Sequence, residues 1–277
     1  MSRRKLLVAT DFTKVAECAI NHAAYTAKAT NSEVWLIHII SDESERSEAE
    51  RKLEDEIKLV KEISKDLVVE TVVRAGSIFE DIKGFAEEIH ASLIFMGTHG
   101  MKGMQFITGS NALKVVKESQ VPFIVVQEKL MKEGGYDDII VPVTLDSATK
   151  QKFAYAAALG SYFGATIHLI TAYEPDEDYG HRVKLNLKYA SKYFSEREVK
   201  HTITHGKHSG GKFADEIAEL GREKNADLIT IMNLSELGIF NRLGSQLEQR
   251  VITNAEKIPV LVVNPKDSTV YSGVFAG

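Results

Sequence analysis

A chain of 277 residues is long enough for two ordinary domains with their own cores. Its net charge of −5, spread over two halves of which neither is basic, argues against a nucleic-acid binder driven by phosphate neutralisation. The single cysteine, Cys18, excludes an internal disulfide, no apolar run reaches a membrane span, and MSRRKLLVATDF lacks the features of a signal peptide, so a cytoplasmic protein with no membrane partner is expected.

In chain order, strand-like runs rich in β-branched residues fall at KLLVAT, EVWLIHI, LVVETVV, SLIFMG and PFIVVQ. Helical spacing lies between them. Ala16, Ala19, Ile20, Ala23 and Ala27 share one face, as do Leu53, Ile57, Val60 and Ile63. The acidic stretch SDESERSEAERKLEDE, Ser41 to Glu56, reads as the solvated entry and outer face of that second helix. Five strands alternating with four helices predict an α/β unit, a doubly wound parallel sheet covered on both faces.

In such sheets, ligands sit beyond the carboxyl ends of the strands, where strand order reverses. Thr10 and Asp11 leave the first strand. Met96 and Gly97 end the fourth and open a glycine loop through His99, Gly100, Gly103 and Gly109, which ends at Ser110 and Asn111 before the helix ALKVVKES. Glycines let backbone amides approach a ligand closely, and the helix start offers unpaired N–H groups that suit phosphate. Equally, Ser110 and Asp11 are ordinary helix-capping residues. Strand order 3-2-1-4-5 would make the two strand ends neighbours, whereas 2-1-3-4-5 would not, and the pattern alone leaves both open.

The chain then repeats itself. VATDFTKVAECAINHAAYTAKATNSEVWLI, from Val8, aligns without a gap to VPVTLDSATKQKFAYAAALGSYFGATIHLI, from Val141. ASLIFMGTHGMKGMQFITGS, from Ala91, aligns likewise to ADLITIMNLSELGIFNRLGS, from Ala226, and the halves close on VPFIVV and IPVLVV. The expected division is 1–130, 136–266 and a tail, 267–277, with Gly134-Gly135 at the join.

VATDF, LIHII, GTHG, GS and VPFIVVQ, in this order, resemble the universal stress protein family, and the duplication resembles its tandem members. The family's nucleotide-binding motif is Gly, two residues, Gly, nine residues, then Gly-Ser or Gly-Thr. Here Gly97, Gly100 and Gly109-Ser110 match it with eight residues in the last interval. The resemblance implies two tandem five-stranded sheets of the adenine-nucleotide α-hydrolase type, order 3-2-1-4-5, packed as a pseudo-dimer through their final strands. It also implies ATP, with Mg²⁺, as ligand. Asp11, beside Thr10, would contact the adenosine, and the backbone of Ile39, after the second strand, the adenine edge. Met96, Gly97 and Gly100 would pass close to ribose and phosphates while His99 shapes the loop. Gly109, Ser110 and Asn111 would hold the β- and γ-phosphates.

At matched positions of the second half, Asp11 becomes Thr144, Gly97 becomes Met232 and Gly100 becomes Ser235, although Gly244-Ser245 remain. A site in the first half only is therefore expected, with Met232 obstructing its counterpart. GKHSGGKF, from Gly206, resembles a P-loop but carries Phe213 where a hydroxyl belongs. His181, His201, His205 and His208 have no recognised zinc spacing, so no metal is assigned. Cys18 reads as a small buried side chain.

The function expected is an ATP-binding, nucleotide-dependent stress-response regulator with an unidentified protein partner, not an enzyme, although slow ATPase activity would be compatible. The alternative is an interaction or scaffold protein with vestigial nucleotide binding. An adenylating enzyme lacks its SGGxDS or HxGH motif. Whether two chains form a homodimer is not legible.

Overall fold

A computed structural model describes residues 3–98, 119–233 and 241–265, without the side chains of Phe79 and residues 241–246. The chain divides into two compact units, Met1–Gly135 and Tyr136–Gly277. The glycine loop beyond Thr98, residues 112–118 of the helix expected after it, and the tail from 266 lie outside the described residues.

The first unit runs β1 (Lys5–Ala9), α1 (Lys14–Thr30), β2 (Glu33–Ile40), α2 (Arg46–Ile63), β3 (Val69–Ala75), α3 (Ile78–Glu88), β4 (Ala91–Gly97) and β5 (Phe123–Val126). Its strands are parallel in the order β3-β2-β1-β4-β5. Apolar β-branched runs suit strands covered on both faces, and Leu7, Val8, Leu36, Leu93, Ile94 and Phe95 are fully buried. Helix α1 lays the small face Ala16, Ala19, Ala23 and Ala27 on the sheet, and ends at Asn31 in a left-handed cap.

The second unit repeats the plan with β6 (Asp138–Val143), α4 (Gln151–Phe163), β7 (Thr166–Thr171), α5 (Glu177–Ser195), β8 (His201–His205), α6 (Gly210–Glu223), β9 (Leu228–Met232), α7 (Asn241–Ile252) and β10 (Val260–Val263). Its order is β8-β7-β6-β9-β10, again parallel. Both units therefore have order 3-2-1-4-5, the alternative that the sequence pattern left undecided. In each, the chain leaves the first strand to one side and returns on the other, so the switch point lies between the first and fourth strands. No helix among the described residues is long and apolar enough to cross a membrane.

Helix α7 begins at Asn241, so Gly244 and Ser245 fall within it. Two local expectations are corrected. Ile39 lies inside β2, paired with Arg74 of β3, rather than after the strand. Glu56, the last member of the acidic stretch read as solvated, is buried. The apolar stripe of α2 runs Ala49, Leu53, Glu56 and Val60, with Ile57 only half-buried.

Candidate functional site

In the first unit β1 pairs with β4, Ala9 opposite Met96, so Thr10 and Asp11 leave one strand beside the point where Gly97 and Thr98 leave the other. Both ends open at the switch point. The first residues of the glycine loop therefore start next to Asp11, while His99, Gly100, Gly109, Ser110 and Asn111 lie outside the described residues.

Asp11 organises the start of α1. Its Oδ1 accepts the Thr13 backbone N–H at 3.2 Å and the Thr13 hydroxyl at 2.6 Å. Thr13, not Asp11, is the N-cap, accepting from the Ala16 N–H. Oδ2 of Asp11 has no hydrogen bond among the described residues, which leaves half the carboxylate available at the strand end.

Thr10 faces inward. Its hydroxyl donates to Glu56 Oε1 at 2.5 Å and accepts the Phe12 N–H at 3.1 Å, while its carbonyl accepts the Nδ1–H of His38 at 2.8 Å. Phe12 is held at a φ of 63°, in the left-handed region that a bulky residue rarely adopts. Its ring packs on His38 with centroids 4.3 Å apart, and the Lys52 ammonium lies 5.2 Å from its centroid. Burial pushes the His38 imidazole below its ordinary value, so the ring is neutral at pH 7. Burial, with Asp11 and Glu17 adding like charge, raises the Glu56 carboxyl to about 7 despite the Thr10 hydrogen bond. Thr13, Phe12, His38, Lys52 and Glu56 all escaped the sequence reading. The one available signal was the spacing of Glu56 from Leu53 and Val60, which places it on their face.

Met96 is buried in β4. At Gly97 a Cβ would stand 2.9 Å from Val15 Cγ1 and 3.3 Å from the Val15 carbonyl carbon. The glycine thus lets the first turn of α1 approach β4, a packing reason independent of any ligand.

The corresponding place in the second unit is built differently. Thr144 stands at the position of Asp11, with its hydroxyl buried and unpartnered among the described residues. Asn186 of α5 donates to the carbonyls of Thr144 and Asp146, at 2.8 and 3.1 Å, and so holds the β6–α4 turn. Met232 is buried at 4% exposure, on a strand that abuts the turn Ser147–Lys150. Its side chain is buried at this strand end. Lys152, at the position of Ala19, is 2% exposed. Its ammonium donates to the Thr149 hydroxyl at 2.8 Å, and burial lowers it to about 7 against the pull of Asp146 and Glu248.

The P-loop-like segment is filled from within. Glu216 accepts the backbone N–H groups of Lys207 and His208 and pairs with the His208 ring at 2.9 Å, where a phosphate would otherwise sit. A Cβ on Gly206 would come within 2.4 Å of the Thr171 carbonyl oxygen. Asp81 does the same in the first unit, accepting the Ser77 N–H at 2.7 Å. His201 bonds Ser191 and lies 3.2 Å from the Val199 carbonyl, and no group of three or more possible metal ligands exists among the described residues. Cys18 is buried, and burial raises its thiol.

The universal stress protein family is matched by residues 2–127 and again by 135–264. The chain belongs to the universal stress protein family. It is similar to the universal stress protein MJ0577 of Methanocaldococcus jannaschii, 28% identical over 155 residues, covering 46% of this chain and 96% of that one. A universal stress protein structure from Archaeoglobus fulgidus DSM 4304 superposes with a TM-score of 0.71 at 17% identity, over 95% of this chain and 97% of that one. A second Archaeoglobus fulgidus universal stress protein, in complex with dAMP, matches 45% of this chain and 98% of its own, at 22% identity and a TM-score of 0.39. As a universal stress protein, this chain is a tandem member, with one family domain in each unit.

Proposed function

We propose that the first unit binds an adenine nucleotide, ATP, and that the protein acts as a nucleotide-dependent stress-response regulator rather than a turnover enzyme. The observation carrying this reading is the adjacency of Asp11 and Gly97 at the switch point, with Gly97-x-x-Gly100 and Gly109-Ser110 following directly in the chain. Asp11 Oδ2, which has no hydrogen bond among the described residues, would contact the adenosine. Backbone amides of the glycine loop and the helix start would meet the phosphates. Magnesium would arrive on the nucleotide and be held where Gly109, Ser110 and Asn111 meet the β- and γ-phosphates.

The second unit has no carboxylate at the matched strand end, and carries a buried lysine on the helix beyond it. One nucleotide per chain is the expected stoichiometry. Among the described residues of the first unit, the buried carboxylate Glu56 is tied to Thr10 and closed off from solvent, so it does not serve as a general base for an attacking water. Hydrolysis is accordingly slow.

The test is to denature freshly purified protein, quantify released nucleotide by chromatography, and titrate the stripped protein with ATP and Mg²⁺ by calorimetry. About one site, lost in Gly100→Met and weakened in Asp11→Thr, supports the reading. Two sites would overturn the assignment to the first unit. No site would leave the scaffold role, with Gly97 retained for its packing against Val15.

A further inference from the structure

The nucleotide reading leaves one buried group without a role. Glu56 is 5% exposed, one of its oxygens accepts from Thr10, and the other, Oε2, has no partner among the described residues. An ionised carboxylate in that position is costly, because a buried charge needs its lone pairs satisfied. Glu56 is nonetheless the acceptor that orients the Thr10 hydroxyl, and that hydroxyl accepts the N–H of Phe12. A continuous path thus runs from α2 through Thr10 to the left-handed Phe12, the residue after Asp11. The second unit gives the same task to Asn186, whose amide bonds the matching turn and has no proton to lose.

We propose that Glu56 is a positioning residue whose protonation holds the β1–α1 turn in the shape that presents Asp11, so that the first unit takes up a proton as it binds its anionic nucleotide. The ligand part of this inference rests on the nucleotide reading above. The coupling of Glu56 to the turn does not.

The charges around Glu56 favour this direction. Asp11 comes from the turn and Glu17 from α1, both negative. His38 comes from β2 and is neutral; Lys52, on α2 itself, is directed over the Phe12 ring; Glu45, before α2, acts on His38. Charge from β3 is not among the influences on the carboxyl. When Glu56 ionises, repulsion from Asp11 and Glu17 adds to the cost of burial, and the carboxylate gains by moving toward water. Thr10 then loses its acceptor, and the strained turn loses its anchor. A nucleotide phosphate adds further negative potential, so the bound state favours the protonated acid. The proton is drawn from solvent onto the Glu56 carboxylate and returned on release.

Two measurements on the full-length protein decide it. In the absence of nucleotide, the backbone amide resonances of Asp11, Phe12 and Thr13 are followed by NMR from pH 5 to 9. The expected result is a transition near pH 7 in the wild type that is absent in Glu56→Gln. It should also be absent in Thr10→Val, which keeps the acid but cuts its link and copies Val143 of the second unit. No transition in the wild type, or the same midpoint in Glu56→Gln, would overturn the proposal and assign any titration to His38.

ATP affinity is then measured at pH 6 and pH 8. The wild type should bind roughly three- to tenfold more tightly at pH 6 than at pH 8, beyond the change seen in Glu56→Gln, where the phosphates of the ligand titrate alike. Equal pH dependence in the two proteins would refute the linkage. If no nucleotide binds at either pH, the nucleotide reading fails, and the amide titration still decides whether Glu56 controls the turn.

Discussion

Glu56 and Lys152 are buried ionisable groups, one in each unit, and both make stability depend on pH in ways that can be signed in advance. The Glu56 carboxyl is raised to about 7, so between its ordinary value and about 7 the folded state holds a proton that the unfolded chain has released. Stability contributed at this site is therefore full below the ordinary value and falls as pH rises through that window, by up to about 3 kcal/mol. Glu56→Gln, which keeps an acceptor for Thr10, should match the wild type at pH 4.5 and exceed it by about 3 kcal/mol at pH 8 in denaturant unfolding. Parallel stability curves for the two proteins would show that the carboxyl is not perturbed. Lys152 has the opposite sign. Its ammonium is lowered to about 7, so the unfolded chain binds more protons from about 7 up to the ordinary lysine range, and stability rises with pH across it. Lys152→Met, which removes a buried charge and keeps the volume, should stabilise the protein by about 2 kcal/mol at pH 7, and by less at pH 10. Urea midpoints at the two pH values check this, and a loss of stability at pH 7 would mean that Asp146 and Glu248 compensate the lysine fully.

At the scale of the element, the contact of β4 with the first turn of α1 explains a residue that sequence reasoning assigned to a ligand. Gly97 has no room for a side chain because Val15 occupies it. In the second unit the matched pair is Met232 with Ala148, a large residue on the strand and a small one on the turn. The exchange suggests a double-mutant cycle. Gly97→Ala alone should destabilise by about 1–3 kcal/mol through overpacking, and Val15→Ala in the same protein should restore part of that loss. Strictly additive unfolding free energies would show that the two residues do not share the space. Strand and helix positions were legible because apolar β-branched runs and small-residue faces carry a clear period. The burial of Glu56 was not, since EDE looks like a solvated face until α2 is seen to turn its Ala49, Leu53, Val60 stripe onto the sheet. The resemblance of GKHSGGKF to a phosphate loop was legible too. That Glu216 fills it was not, because nothing in spacing says which helix carboxylate folds back onto the preceding amides.

Across the whole chain, duplication was visible in the ungapped repeat, but strand order was not, because 3-2-1-4-5 and 2-1-3-4-5 share one pattern of alternating elements. Order 3-2-1-4-5 brings Asp11 beside Gly97, and the same order in the second unit sets Thr144 near Met232, so one architecture is used twice with different chemistry at its switch point. The Asp11 turn hangs on an acid that can gain or lose a proton, and the Thr144 turn on an amide that cannot. Ligand response should therefore be unequal between the units. A ligand that binds only the folded state protects what it touches from local opening, by about 2.7 kcal/mol at a hundredfold excess over Kd. Hydrogen exchange with and without saturating ATP should then show slower exchange in peptides spanning Thr10–Ala16 and the N-terminal turns of α1. Peptides spanning Val143–Lys152 should be unchanged. Equal protection in both sets would mean that Thr144 and Met232 do not disable the second unit, and protection confined to the second set would transfer the site there.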